Sequence, residues 1–402
     1  MSLYICHLDS LIMRWKSFEG RIQLHDFDFH KCEATARIIR NNDNHTETSM
    51  TTPTRYHPSR LHHYAHTLLQ KVGVDSNISS CVAQTLLEGD LLGHDTHGLA
   101  LLAGYLQEIE AGNMTRTGQP IVLSDKPAAL LWDGQRLPGP WLVHQALDVL
   151  TPRAKHLGVS SMVIKRSHHI ACLAVYMLRA LKDDLLMVLT CSDPNTCSVA
   201  PFGGTQAVFT PNPLSIGFPL SNGGVMVDIS ASITTNSMNN RKLKNGLLHD
   251  GEYMMDAKGN ASRDPGLLNH NPPGTLLPVG GKSHGHKGYG LALLVESLTG
   301  GLAGHGRADP KEGWGATVNI TLYDLNAFAG KAGFLRQMDE IAKQCHASAP
   351  INPDTPVRLP GERGLKLLKE QMSSGVILHP SVAPSLQSYE QRFGLKLEDA
   401  KI

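Results

Sequence analysis

Met162-Val163-Ile164-Lys165-Arg166-Ser167-His168-His169-Ile170-Ala171 begins as a β-branched, apolar run and stops abruptly at two imidazoles. An apolar helical segment carrying Leu173, Tyr176, Met177 and Ala180 takes over directly, so the stretch reads as a strand-to-helix junction. In α/β architectures such junctions lie at the carboxyl ends of strands, where side chains face a cleft instead of the core. A second apolar run, Leu185 to Leu189, delivers Asp193 to a neighbouring strand end, where an acid and an imidazole can meet. Strands and helices alternate from here on, which predicts an α/β fold.

Upstream, Leu61, Tyr64, Ala65, Leu68 and Leu69 have helical spacing that stops at Gly73. A second helix carries Ile78, Val82 and Leu86 on its apolar face, with Asn77 as its candidate cap, and runs into Gly93-His94-Asp95-Thr96-His97-Gly98. A third spans Leu99 to Ala111, and Trp141 to His156 forms the helix that leads into the first strand. Downstream, Pro201-Phe202-Gly203-Gly204 and Thr210-Pro211-Asn212-Pro213-Leu214 are expected to be loops, because closely spaced Pro and Gly sustain neither helix nor sheet interior. Val225-Met226-Val227 reads as a buried strand ending in Asp228-Ile229-Ser230-Ala231-Ser232, and the polar stretch 241–271 as a surface excursion. Gly285-His286-Lys287-Gly288-Tyr289-Gly290 then opens an apolar helix, Leu291 to Thr299. Val318, Ile320 and Leu322 alternate with polar residues, predicting a strand with one buried face. A helix near Phe334 to Cys345 follows, and a last one starts after Pro360. Residues 1–55 are polar, rich in His and Asn near their end and without periodicity; they are expected to be a disordered extension, with Met50 an alternative start.

The 402 residues carry 37 Lys and Arg against 36 Asp and Glu, a formal charge of +1, with no basic track for nucleic acid. Seven scattered cysteines point to free thiols in a reducing compartment, and the cytoplasm is the expected location. No apolar run reaches the roughly 18–20 residues that span a bilayer, and the first residues make a poor signal peptide.

For His168-His169 the chemical reading is a general acid/base, since imidazole titrates nearest neutrality; the alternative is a pair of structural histidines bonded to backbone. Asp193 on the next strand end favours the first, because an acid partner fixes the tautomer. The Gly285 to Gly290 turn offers backbone N–H groups at a helix N-terminus plus a lysine, which suits phosphate oxygens; it can equally be a plain glycine-rich connection. No GxGxxG follows a predicted strand, so any dinucleotide binds in another way. Asp228 is placed to orient a ribose or to cap a turn. The 21 histidines raise a metal site, but no HExxH or closely spaced carboxylate pair accompanies them and no metal is assigned.

Together His94-Asp95-Thr96-His97-Gly98, Ser167-His168-His169-Ile170, Val199-Ala200-Pro201-Phe202-Gly203-Gly204, Asn212-Pro213-Leu214, Asp228-Ile229-Ser230-Ala231-Ser232 and the Gly285 to Gly290 turn resemble the malate/L-lactate dehydrogenase-type oxidoreductases, from about Leu61 onward and in the right order. This group includes ureidoglycolate, sulfolactate and cyclic-imino-acid reductases. The resemblance implies a homodimer with a non-Rossmann mixed sheet that binds NAD or NADP and a second α/β domain built from both chain ends. The boundaries it suggests are 56–130 for the helical part of a substrate and dimerisation domain, 131–304 for the cofactor domain and 305–402 for the segment completing the former. The family's catalytic histidine falls on His169 and its acid on Asp193; Thr96 and His97 line the substrate; Ser192, Ile229, Ser230, Ala231, His286, Lys287 and Gly288 match positions that contact the dinucleotide. Where many members carry an arginine that grips the substrate carboxylate, this chain has Leu101.

The expected activity is hydride transfer between a nicotinamide and the α-carbon of a small 2-hydroxy or 2-keto acid, or of a cyclic imino acid. The competing expectations are a metal-dependent hydrolase built on His94, His97, His168 and His169, and a noncatalytic homologue that binds a ligand without turnover.

Overall fold

The computed structural model describes residues 53–402, and the extension expected over residues 1–55 lies almost wholly outside them. Ten strands and the helices between them are built as follows. Helix α1 (Pro58–Lys71) starts with Pro58, whose missing N–H costs nothing in a first turn, and Gly73 beyond it takes φ +91°. Helix α2 (Ser76–Leu91) is capped by Asp75, whose carboxylate accepts the Asn77 N–H at 2.9 Å; the cap expected at Asn77 is thereby corrected, the carboxylate two residues earlier being the better acceptor. Leu99–Leu101 forms a 3₁₀ turn before α3 (Leu102–Glu110).

Strands β1 (Ile121–Asp125) and β2 (Ala129–Asp133) precede α4 (Gly139–Leu157), β3 (Val159–Ser167), α5 (Leu173–Asp183), β4 (Leu185–Ser192), β5 (Pro213–Pro219) and β6 (Gly224–Ser230). After α6 (Asn236–Lys244) come three two-residue strands, β7 (Met254–Met255), β8 (Ala261–Ser262) and β9 (Thr275–Leu276), then α7 (His286–Glu296), β10 (Ala316–Asp324), α8 (Lys331–Ala347), α9 (Glu362–Ser374) and α10 (Val382–Phe393). The main sheet has seven strands in the order β1-β2-β3-β10-β4-β5-β6. Only β2 and β3 pair in parallel, the crossover between them being α4; every other neighbour is antiparallel, so the sheet is mixed and the α/β expectation holds. A continuous apolar core runs from α1 to α3 through α4 and α5 onto the sheet.

Several expectations are corrected. Pro213 and Leu214 are not loop but open β5, where a proline is tolerated as the first strand residue. The stretch 241–271 includes part of α6 and two strands of a small sheet, with Met254 fully buried, so it packs rather than merely decorates. β10 buries both faces: Val318 and Ile320 on one, Thr317 and Asn319 on the other. It lies between β3 and β4, and Ser297–Gly301 covers its polar face. β10 comes from the segment expected to complete the second domain, yet it stands at the centre of the sheet. The helix after Pro360 is followed by α10, so it is not the last.

Candidate active site

His169 leaves the end of β3 in the four-residue link to Cys172, the N-cap of α5. The link is held by a close approach. A Cβ on Gly139, the first residue of α4, would lie 2.5 Å from the carbonyl oxygens of both His168 and His169, so the helix can seat here only on a glycine. The His169 ring is walled by three aromatic side chains from distant segments: Tyr105 of α3, Trp314 with ring centroids 4.8 Å apart, and His97 stacked at 6.0 Å. The Tyr105 hydroxyl lies 2.9 Å from His169 Nδ1 and donates to the His169 carbonyl at 3.1 Å.

A phenol has one proton. If it goes to the carbonyl, the oxygen accepts from Nδ1–H, which leaves the Nε2 lone pair for a substrate. The Ala171 N–H also points at Nδ1, at the longer distance of 3.3 Å, and the same N–H bonds the Tyr105 oxygen. With the Ala171 N–H on the phenol oxygen, Nδ1 carries the ring proton; with that N–H on Nδ1, Nε2 carries it, and the distances fit both arrangements. Burial, with His97 and His168 adding like charge, holds the His169 imidazolium well below its ordinary range.

His168 is fully buried with its Nε2 3.4 Å from Glu108, and burial lowers its pKa to about 3. It is the structural member of the pair. Thr96 Oγ1 lies 2.8 Å from His97 Nδ1, so the threonine orients the histidine; burial lowers His97 to about 4, with His94 and Arg241 adding to the effect. Arg241 of α6 reaches the same turn and pairs with Asp95 at 2.9 Å. Leu101 is partly buried against the main core and reaches for nothing polar.

Asp193 is placed differently from the expectation. Its Oδ1 accepts the Asn195 N–H at 2.9 Å and its Oδ2 accepts the Thr196 hydroxyl at 3.1 Å, a local turn that the sequence Asp193-Pro194-Asn195-Thr196 favours. It also bonds the Gly315 backbone, next to Trp314. The place at Nδ1 expected for Asp193 is taken by Tyr105. The four histidines of the hydrolase expectation do not assemble either, since His168 turns to Glu108 and His97 to Thr96, and no cluster of potential metal ligands among the described residues combines them. Neither Tyr105 nor Trp314 carries a sequence signal for this place: Tyr105 sits on the apolar face of a helix, where only the rule that a buried hydroxyl needs a partner marks it.

The residues matched to a dinucleotide gather around the carboxyl end of β6. Val279 N–H donates to the Ala231 carbonyl at 2.8 Å, Gly288 N–H to the Val279 carbonyl at 3.0 Å, and a Cβ at Gly288 would stand 2.3 Å from Val279 N. The Gly288 and Tyr289 N–H groups are therefore spent within the protein, and the cradle of bare backbone donors expected at Gly285 to Gly290 is corrected: a helical turn at Gly281–His284 precedes α7 and absorbs it. Ser192 is buried and shares a 2.8 Å hydrogen bond with Thr299. What remains open to a ligand is Ile229, 47 % exposed, Phe202, 43 % exposed and edge-on to His286 at 5.6 Å, and the exposed Lys287. Apolar faces beside a cation fit the aromatic rings and phosphates of a dinucleotide. Asp228 lies elsewhere, accepting the Ala174 N–H at 2.9 Å at the start of α5, so it caps a helix rather than a turn.

A mixed sheet with an imidazole at the end of β3 and exposed apolar and cationic side chains near the end of edge strand β6 suits an oxidoreductase. A sequence profile described as malate/L-lactate dehydrogenase matches residues 56–387, and the chain belongs to that family. Among its relatives, the malate/(S)-sulfolactate dehydrogenase of Methanothermus fervidus is 26 % identical over 339 residues, covering 82 % of this chain and 95 % of the relative. The L-lactate dehydrogenase of Cupriavidus necator is 27 % identical over 344 residues, covering 84 % and 97 %. In fold, the crystal structure of malate dehydrogenase from Entamoeba histolytica superimposes with a TM-score of 0.80 at 20 % identity, over 86 % of this chain and 99 % of that one.

Proposed function

We propose that the protein is an NAD- or NADP-dependent dehydrogenase that interconverts a small 2-hydroxy acid and its 2-keto acid, or reduces a cyclic imino acid. The observation that carries this reading is the half-buried His169 with Tyr105 at Nδ1 and Nε2 left to a substrate. A bound nicotinamide supplies or accepts the hydride. His169 Nε2 takes the hydroxyl proton of the substrate in oxidation and returns it to the developing alkoxide or amine in reduction. Depressed basicity suits the second role, because a destabilised imidazolium is a ready acid. His97, oriented by Thr96, binds the substrate's polar end, and Arg241 is the cation on that turn for its carboxylate, with Leu101 engaged in the core. Asp193 acts at one remove, through the Gly315 backbone behind Trp314.

Ser192, Ile229, Ser230, Ala231, His286, Lys287 and Gly288 form the dinucleotide end of the site, Ser192 and Gly288 by packing and Ile229 and Lys287 by contact. A cytoplasmic location is supported by free thiols at Cys81, Cys172, Cys191, Cys197 and Cys345. A homodimer is supported by the edge strand β1, where Ile121, Val122 and Leu123 are each about half exposed.

Titration of the purified protein with NADH and NADPH, followed by nicotinamide fluorescence with and without a panel of 2-keto and cyclic imino acids, tests the reading. Saturable binding and substrate-dependent loss of reduced cofactor are expected. His169→Ala should lower turnover by about 10²–10⁴-fold with cofactor binding largely kept. Absence of any nucleotide binding would overturn the proposal.

A further inference from the structure

Three side chains that hydride transfer does not use converge beside the site. His94 lies on the turn after α2, Cys172 caps α5 and Asp228 stands near the end of β6; one ligand atom from each lies within 4.8 Å of the other two. Cys172 Sγ and Asp228 Oδ2 are 3.8 Å apart. In tetrahedral zinc sites, Zn–S of about 2.3 Å and Zn–O of about 2.0–2.2 Å put sulfur and oxygen roughly 3.5 Å apart, so a small inward movement closes this edge. We propose that His94, Cys172 and Asp228 form a binding site for a thiophilic divalent cation of the Zn²⁺ class.

The donor set selects the ion. One sulfur, one imidazole nitrogen and one carboxylate suit zinc, whereas calcium and magnesium take oxygen ligands. A thiolate and a carboxylate bring two negative charges that a divalent ion neutralises in a half-buried setting. Oδ2 has two lone pairs, so accepting the Ala174 N–H leaves one for an ion, and capping α5 and holding an ion are compatible. Three protein ligands leave a fourth position for water. His94 precedes His97 by three residues and Cys172 follows His169 by three, so one ion would tie together the two segments that carry the stacked rings. Zinc takes the thiolate, so binding releases the Cys172 thiol proton to solvent, and affinity rises with pH.

The test uses the full chain, purified under reductant and stripped with a chelator. Zn²⁺ is titrated against a chromophoric competitor, Co²⁺ is added separately and read for thiolate-to-cobalt charge-transfer absorption, and alkylation of Cys172 is followed by peptide mass with and without Zn²⁺. The expected result is one equivalent of zinc, a charge-transfer band and zinc protection of Cys172. Zinc affinity, the band and protection should each weaken by at least about tenfold in His94→Ala, whose half-buried side chain can be removed without opening the core, and zinc affinity and the band should weaken likewise in Cys172→Ser. The proposal is overturned if the wild-type chain takes up no saturating equivalent, or if zinc uptake and protection are unchanged in His94→Ala. Should Cys172→Ser not fold, protection in the wild-type chain and its loss in His94→Ala decide the matter. Neither outcome depends on nucleotide binding, so this site and the hydride-transfer reading stand or fall separately.

Discussion

The Tyr105 hydroxyl stands 2.9 Å from Nδ1 of His169, joining residues 64 positions apart in the chain. In many catalytic histidines a carboxylate holds that nitrogen. Here a neutral phenol does so, which holds the ring in place without stabilising the imidazolium by charge. Tyr105→Phe removes the fixing bond and leaves the His169 carbonyl one donor short, while the ring stays packed. Turnover should fall about tenfold, with a stability cost of about 1–3 kcal/mol read by denaturant unfolding. Asp193→Asn, which keeps the turn's acceptor oxygen for Asn195, should change turnover by much less. Steady-state kinetics of the pair decide the assignment: a larger loss at Asp193 would return the orienting role to the carboxylate.

The pH dependence of hydroxy-acid oxidation follows from the same geometry. With His169 as the proposed base, oxidation needs it neutral, and burial holds its pKa well below 6.5, so the base form persists as the medium is acidified. kcat/KM for oxidation should be flat through pH 6.5 and fall only at markedly lower pH. An acid limb centred at or above 6.5 in the wild-type enzyme would show that the imidazolium is stabilised and that the phenol is not the controlling partner.

The junction at His169 was legible because its evidence is local: an apolar strand, two imidazoles and an apolar helix within some twenty residues. Its surroundings were not. Tyr105 and Trp314 reach the ring from segments on either side of it in sequence, and no periodicity tells a buried tyrosine which atom its hydroxyl will meet. At Asp193 a strand-end position points to the imidazole, but the turn preference of its own Asp-Pro-Asn-Thr segment prevails and consumes both carboxylate oxygens. β10 departs in a related way. Alternation predicts one wet face, but a strand flanked on both sides and covered by Ser297–Gly301 dries its threonines too.

Burial of His168 makes a measurable acid-side contribution to stability. Its folded pKa is about 3, and the unfolded value is about 6.5. Because the folded value is depressed, the contribution is complete above pH 6.5 and is lost as pH falls toward the folded value, the unfolded chain taking the proton that the folded chain refuses. Glu108, at 3.4 Å, does not offset the burial. Relative to His168→Gln, which cannot titrate, wild-type stability should decline by up to about 1.4 kcal/mol per pH unit between 6.5 and 4. Using the difference cancels the opposite trend of Glu88 and Asp90, whose carboxyls burial raises to about 7 and about 8. Urea unfolding of both proteins across this range provides the check, and a pH-independent difference would contradict it.

Recognition of the substrate carboxylate is the point at which this chain departs most clearly from its resemblance, since Leu101 packs into the core where many members carry an arginine. Arg241 offers a guanidinium from a different element, held 2.9 Å from Asp95 on the turn that carries His97. That ion pair aims the cation while leaving other N–H groups free to meet a carboxylate, and a fork of donors suits a planar anion better than a point charge does. Arg241→Met keeps the stem and removes the donors. If Arg241 grips the carboxylate in ground and transition states alike, KM should rise about 10–100-fold with kcat little changed, the range expected for losing a charged hydrogen bond. Arg241→Lys should recover only part of the loss, because an ammonium lacks the fork. The amide analogue of the best substrate separates this role from a structural one: it should react poorly with the wild-type enzyme and be almost indifferent to Arg241→Met. An equal fall for acid and amide would show instead that Arg241 works only by holding the Asp95 turn in place.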